Sequence, residues 1–413
     1  AEVEYFISDS GARMLIAGDA ENLQSIAATH NVILHDMAAD GRGSFTNLAA
    51  TASDRFAPVP RNGDDLAAFL YTSGTTGRSK GAMLTQNNLL SNAQTLIEAW
   101  RFSEADVLLH ALPIFHTHGL FVATNIILLA RASMIFLPKF DVDSVFAVLP
   151  QATSMMGVPT FYTRLLDDAR LTADSTRHMR LFVSGSAPLL AETHLQFAER
   201  TGQQILERYG MTETNMNTTN PYEGPRRAGT VGKPLAGVDL KITDPETGAT
   251  LEDGAIGQIE VRGPNVFVGY WNMPEKTREE LREDGFFITG DLGFIDDQGY
   301  VQIVGRNKDL IIAGGYNIYP KEIELILDDQ PGVLESAVIG VPHADFGESV
   351  VGILVPDNSG LLDIDKITES VAASLAKFKQ PRQLVVVDAL PRNAMGKVQK
   401  NILRETYGSA VSA

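Results

Sequence analysis

The sequence contains no cysteine. That removes a disulfide framework, a thiolate metal site and a cysteine nucleophile, and it fits a cytoplasmic protein. Positive charge is also scarce. Lys and Arg number 34 against 51 Asp and Glu, for a net charge of −17. Such a surface excludes non-specific attraction to nucleic acid or to an anionic membrane. Any anionic substrate therefore has to meet cations placed locally, in loops. Long apolar runs are missing too. The most apolar window, 119–137 (GLFVATNIILLARASMIFL), is broken by Asn125 and Arg131. It reads as a buried helix, a turn and a buried strand, with no membrane span. The opening AEVEYFISDSG lacks a basic stretch followed by an apolar one, so it is not read as a secretory signal. The chain starts without methionine on a helix-like segment, as the remainder of a longer protein would.

What is present suits a large core in more than one domain: 413 residues, 44% hydrophobic and 21% charged. From Ala12 to about Glu207 strand-like runs recur, at RMLIAG, NVILHD, LAAFLYT, DVLLHAL, ASMIFL, TSMMG and RLFVSG. Between them lie amphipathic helix candidates at 86–100, with Thr85 as cap, and at 142–149, 160–168 and 190–201. This alternation predicts α/β architecture, a large domain of mostly parallel sheets flanked by helices, with ligand loops at the carboxyl ends of the strands. From 226 to 305 short strands (VDLKITD, GQIEVRG, YVQIVGR) separated by Asp-Gly and Gln-Gly turns predict a β-rich subdomain. The remainder predicts a small, mobile α+β C-terminal domain, with the boundary between 307 and 308. The domains are thus expected at 1–307 and 308–413.

Chemistry-bearing residues concentrate in a few loops. Residues 71–81, YTSGTTGRSKG, combine glycines, hydroxyls, Arg78 and Lys80. Glycines admit phosphate oxygens close to backbone N–H groups, and the cations add charge. The spacing differs from the common G-x-x-x-x-G-K-[ST] loop, and a plain flexible turn is the alternative. In ERYGMTETN (207–215), Glu213 follows a hydroxyl just past a strand-like run, where a carboxylate can hold Mg²⁺ beside phosphate. The alternative is a helix start with Thr212 or Thr214 as cap. In FFITGDLG (286–293), Asp291 reads as a turn residue after an aromatic strand, able to accept from both ribose hydroxyls or to serve as an ordinary turn aspartate. VGRNKDLIIAGGYNIYP (304–320) leads through Arg306, Lys308 and Asp309 into a paired-glycine turn. LPRNAMGKVQK (390–400) carries Lys397 on a short segment able to swing into a site, or simply a solvated surface lysine. His116 and His118, in PIFHTHG, lack a third ligand nearby. One is expected to line a pocket and the other to be structural.

Together and in this order, these loops resemble the adenylate-forming superfamily of acyl-CoA synthetases, nonribosomal adenylation domains and luciferases. GRSKGAML, ALPIFHTHGLF, FLPKFD, GVPTFYTRLL, YGMTETNMNT and PRNAMGKVQKN resemble in particular its malonyl-CoA synthetases. The resemblance runs the length of the chain, although members normally begin further upstream. It implies ATP, Mg²⁺ and coenzyme A as partners of a small carboxylic acid, malonate. Thr72, Ser73, Gly74, Thr75, Thr76, Gly77 and Lys80 would hold the β- and γ-phosphates. Ser186 and Ala187, with Glu207, Arg208, Tyr209 and Gly210, would wall the adenine. Glu213 would bind the metal, with Thr212 near the α-phosphate and Asp291 and Arg306 on the ribose. Lys397 would be the catalytic lysine, Gly314 and Gly315 would line the pantetheine tunnel, and Asp309 would be the hinge. The distal carboxylate of malonate needs a cation, for which Arg78, His116 and Arg164 are the candidates. Other small acids (methylmalonate, acetate, an aryl acid) remain alternatives, as does a protein that binds adenylate without turnover. The protein is expected to be a monomer or a homodimer.

Overall fold

The computed structural model describes residues 2–72, 79–343, 345–357, 359–393 and 396–408. It divides into two compact units, one of residues 1–87 with 267–279 and the other of 88–266 with 280–413.

In the larger unit the alternating runs close into a seven-stranded sheet in the order 233–234, 215–219, 206–211, 181–184, 154–157, 107–110, 133–136. From 206–211 to 133–136 all neighbours are parallel, so their carboxyl ends share one edge. Strands Ser154–Gly157 and Leu181–Ser184 are buried at every position, as parallel strands with both faces covered must be. On one face the helices Pro159–Leu166 and Ala191–Thr201 pack through Tyr162 and Phe197, whose rings meet Phe182 at 6.5 and 4.9 Å. The helices expected at 86–100 and 142–149 form as Gln86–Trp100 and Val142–Val148. The Asp141 carboxylate caps the second by accepting from the Ser144 N–H at 2.9 Å. The expected buried strand of the 119–137 window is instead an edge strand, Ser133–Phe136, with Phe136 49% exposed, because it has a neighbour on one side only. Among the described residues no helix is long and apolar enough to cross a membrane.

A four-stranded antiparallel sheet follows, with Asp239–Thr243, Gly257–Arg262, Phe287–Ile295 and Val301–Arg306 in sequence order. It corrects the reading of Asp291. This residue is inside the strand Phe287–Ile295, paired with Arg306, and is not in a turn. Gly290, at φ +74°, and the register shift after Leu292 bulge the strand without ending it.

Lys308 and Asp309, at the expected domain boundary, lie in the 3-10 turn Asn307–Asp309. Beyond it is a five-stranded sheet whose first hairpin pairs Ile311–Ala313 with Tyr316–Ile318. Gly314 and Gly315, at φ +59° and +83°, make the two-residue turn that this twist requires. Alternate positions of the long strands Val333–His343 and Gly347–Pro356 feed two apolar clusters. One lies under the helices Pro320–Asp328 and Ile364–Ser374, and the other takes Leu390 and Leu403.

The smaller unit holds the helix Glu2–Ser10, a parallel pair Met14–Ala17 and Ile33–Asp36, and the hairpin Leu66–Thr72 with Lys80–Thr85.

Candidate active site

Because the parallel strands end on one edge, the segments that follow them collect there: the histidine loop after His110, Gly185 to Pro188 after Ser184, and Thr212 to Thr214 after Met211. Thr212 to Thr214 is a tight turn between Leu206–Met211 and the antiparallel strand Asn215–Thr219. The helix-start alternative for Glu213 therefore falls, since another strand follows. Glu213 is buried at 5% exposure.

Asp291 is the fixed point of the site. Its Oδ2 accepts from the Tyr209 hydroxyl at 2.6 Å and its Oδ1 is 2.9 Å from Arg306 Nε. Asp291 chiefly, with Tyr209 and Glu213 assisting, holds the Arg306 guanidinium pKa above its ordinary value against the cost of burial. Burial, then Asp291, keeps the Tyr209 phenol protonated far past its usual range. Lys397 joins this group. Its side chain is exposed, yet the surrounding protein, Arg306 and Arg208 pull its ammonium pKa below the ordinary lysine value, while Asp291 and Glu213 oppose them. The same lysine lowers the pKa of half-buried His116, on which burial is the larger influence. Lysine, histidine, two acids and an arginine thus converge from segments as distant in sequence as 116 and 397.

A second group lies deeper. His118 starts a π-helical turn, His118–Ala123, and its Nδ1 is 3.2 Å from Ser186 Oγ. Ser186 sits at φ +71°, a strained conformation for a residue with a side chain. Burial, followed by Arg208, keeps the His118 imidazole neutral. Arg208 itself is 3% exposed, and its Nε and Nη2 are buried without a hydrogen-bond partner among the described residues. Burial pulls its pKa down to about 9. A Cβ on residue 185 would stand 2.3 Å from Arg208 Nη1, so only glycine there leaves room for the guanidinium. A buried cation with unpaired donors is stable only where an anion completes it. The sequence reading placed Arg208 in the adenine wall and did not single out its side chain. The available signal was its place in a parallel strand, Leu206–Met211, where both faces are covered.

The other expected residues fall as follows. Ala187, Glu207 and Gly210 lie on the same strand edge, with Glu207 Oε1 3.4 Å from buried His194 Nδ1. Arg164 is exposed on the helix Pro159–Leu166. Asp309 Oδ1 accepts from Arg404 Nη2 at 2.7 Å. In the smaller unit Thr72 pairs with Lys80, and Lys80 Nζ is 3.1 Å from the Tyr270 hydroxyl. Ser73, Gly74, Thr75, Thr76, Gly77 and Arg78 lie outside the described residues.

A family model described as AMP-binding enzyme matches residues 1–271, and one described as AMP-binding enzyme C-terminal domain matches 322–397. The chain is 37% identical to the malonate–CoA ligase of Arabidopsis thaliana over 441 residues, covering 98% of this chain and 72% of that protein. It is 59% identical to MatB from Rhodopseudomonas palustris, covering 99% of this chain and 82% of that one, with a TM-score of 0.97 to the ATP-bound structure. Against the apo structure of the same protein the TM-score is 0.84.

Proposed function

The chain belongs to the AMP-binding enzyme family, and from that premise we propose that it ligates malonate to coenzyme A through a malonyl-adenylate, releasing AMP and pyrophosphate. A carboxylate is a poor acyl donor because its leaving group would be oxide. Attack of one carboxylate oxygen on the α-phosphorus of ATP expels pyrophosphate and turns that oxygen into part of AMP. The thiol of coenzyme A then attacks the carbonyl carbon, AMP departs, and the thiol proton is lost to the medium.

Negative charge builds around the α-phosphorus in the first step, and a cation already aimed there lowers the barrier. Lys397, gathered with Arg306, Asp291 and Glu213, has that role. Asp291, held by Tyr209 and Arg306, keeps lone pairs free for the ribose hydroxyls. The loop from Thr72 to Lys80 is assigned to the β- and γ-phosphates. Among the described residues no cluster of three or more His, Cys, Asp or Glu side chains is built to hold a metal. A single carboxylate, Glu213, fits Mg²⁺, which takes one or two protein carboxylates together with phosphate oxygens and water. Bound there, the ion would neutralise phosphate charge. Gly314 and Gly315 are assigned to the thiol's approach, and Asp309 to the hinge that exchanges one set of groups for the other.

The observation that carries the choice of acid is Arg208. Its buried, incompletely paired guanidinium beside His118 and Ser186 suits a substrate with a second carboxylate. This replaces Arg164, whose exposure supports a surface role. We place the enzyme in the cytoplasm, as a monomer or homodimer acting on small molecules. Pyrophosphate release with malonate, methylmalonate, acetate and benzoate tests the reading. Malonate is expected to lead acetate in kcat/KM, and Arg208→Met to lower malonate turnover by roughly tenfold to a hundredfold while sparing acetate. Acetate leading in the wild type would end the malonate assignment.

A further inference from the structure

Lys397 lies on one arm of a small hairpin, and the hairpin is tied down by its own hydrogen bonds. The Asn393 N–H donates to the Lys397 carbonyl at 3.0 Å, the Lys397 N–H donates to Asn393 Oδ1 at 3.0 Å, and the Gln399 N–H donates to the Pro391 carbonyl at 2.8 Å. Arg392 and Val398 pair across it. Two cations next to it then reach acids beneath, Glu324 on the helix Pro320–Asp328 and Glu335 on the strand Val333–His343. Lys400 Nζ donates to Glu324 Oε1 at 2.6 Å, and that oxygen also accepts from the Val338 N–H at 3.0 Å. Arg392 spans the other side. One of its terminal nitrogens donates to Glu335, on the strand Val333–His343, and the other to the carbonyl of Gly396, the residue directly before Lys397.

We infer that Glu335 is a positioning residue for Lys397, acting through Arg392 on the Gly396 carbonyl. A lysine carries its ammonium on a flexible four-carbon stem, so its reach is defined only as well as the backbone it leaves. The peptide between Gly396 and Lys397 sets the direction of that stem, and Arg392 holds this peptide's carbonyl. Glu335 holds the planar Arg392 fork in the one orientation that reaches the carbonyl. Arg392 and Glu335 are 31% and 24% exposed at the side chain, so neither is part of the apolar core. Glu324, at 9%, is nearly buried and also caps a backbone N–H, which makes it the poorer probe. Because Glu335, Arg392 and the hairpin belong to one sheet and its adjoining segment, the relay would travel with the lysine as a body.

The inference rests on the proposed role of Lys397 in adenylation, and its test separates the two. In Glu335→Gln, pyrophosphate release from malonate and ATP is expected to fall about tenfold, the scale on which a small misplacement acts. Thioester formation from supplied malonyl-adenylate and coenzyme A should stay within about twofold, with the melting temperature unchanged and Glu335→Asp restoring most of the loss. Amide hydrogen exchange, which needs no turnover, is read in parallel, and the Lys397 N–H should exchange faster in Glu335→Gln than in wild type. Unchanged exchange would overturn the relay whatever the substrate. Equal loss in both half-reactions would do the same. Faster exchange in a protein whose wild type adenylates no acid would keep the relay and refute the proposed role of Lys397.

Discussion

Lys397 illustrates how one side chain's surroundings become a measurable rate. The surrounding protein, Arg306 and Arg208 lower its ammonium pKa from 10.5, and Asp291 and Glu213 only partly restore it. In the role proposed for Lys397, the useful species at the α-phosphate is the charged one. Adenylation is therefore complete below the lowered pKa and lost as pH rises through it, earlier than for a solvated lysine. Thioester formation from supplied adenylate should show no such limb. Profiles of the two half-reactions measured separately between pH 7 and 10.5 test this, and an adenylation limb at or above the ordinary lysine value would contradict it. The same paired view explains which parts of the site were legible in the sequence. Asp291, Arg306, Glu213 and Lys397 were readable because motifs carry them, and the structure brings all four together. Arg208 was readable as a residue and not as a buried cation, since its burial depends on packing between distant segments, such as the close approach of Gly185 to its guanidinium.

The elements follow the hydrophobic pattern closely where period and boundary agree. The helix at 86–100 and the strands of the parallel sheet form where the alternation places them. The pattern failed where glycines stand inside a strand. Gly290 and Gly293 made the strand Phe287–Ile295 look like a turn, because a glycine bulge and a glycine turn have the same composition and differ only in long-range pairing. The edge exposure of Ser133–Phe136 likewise depends on sheet order, which local sequence does not encode. The helix Pro320–Asp328 offers an element-scale prediction. Asp328 is 10% exposed at the side chain, and its Oδ1 accepts from Ser336 Oγ at 2.7 Å. Burial raises its pKa to about 6, above 3.8, against the pull of Lys321 and Ser336. The fold thus favours the protonated acid, and the stability this contributes is present at low pH and lost as pH rises through about 6. Asp328→Asn removes that loss. Its stability relative to wild type should improve between pH 4.5 and 8 by about 2 kcal/mol, at roughly 1.4 kcal/mol per pKa unit. Melting temperatures of both proteins across this range provide the check, and a difference independent of pH would refute it.

On the scale of the whole molecule, a chain with a net charge of −17 concentrates the positive charge it needs. Arg208, Arg306 and Lys397 gather at the carboxyl edge of one parallel sheet, while most of the surface repels anions. Every role assigned above depends on one chemical event, transfer of a carboxylate oxygen to AMP. The direct measurement uses malonate labelled with ¹⁸O in its carboxylates, together with ATP and coenzyme A, and mass analysis of the products. The account predicts that the AMP carries one labelled oxygen per turnover and the pyrophosphate none. Thioester formed with unlabelled AMP, or label appearing in the released phosphate product, would contradict it.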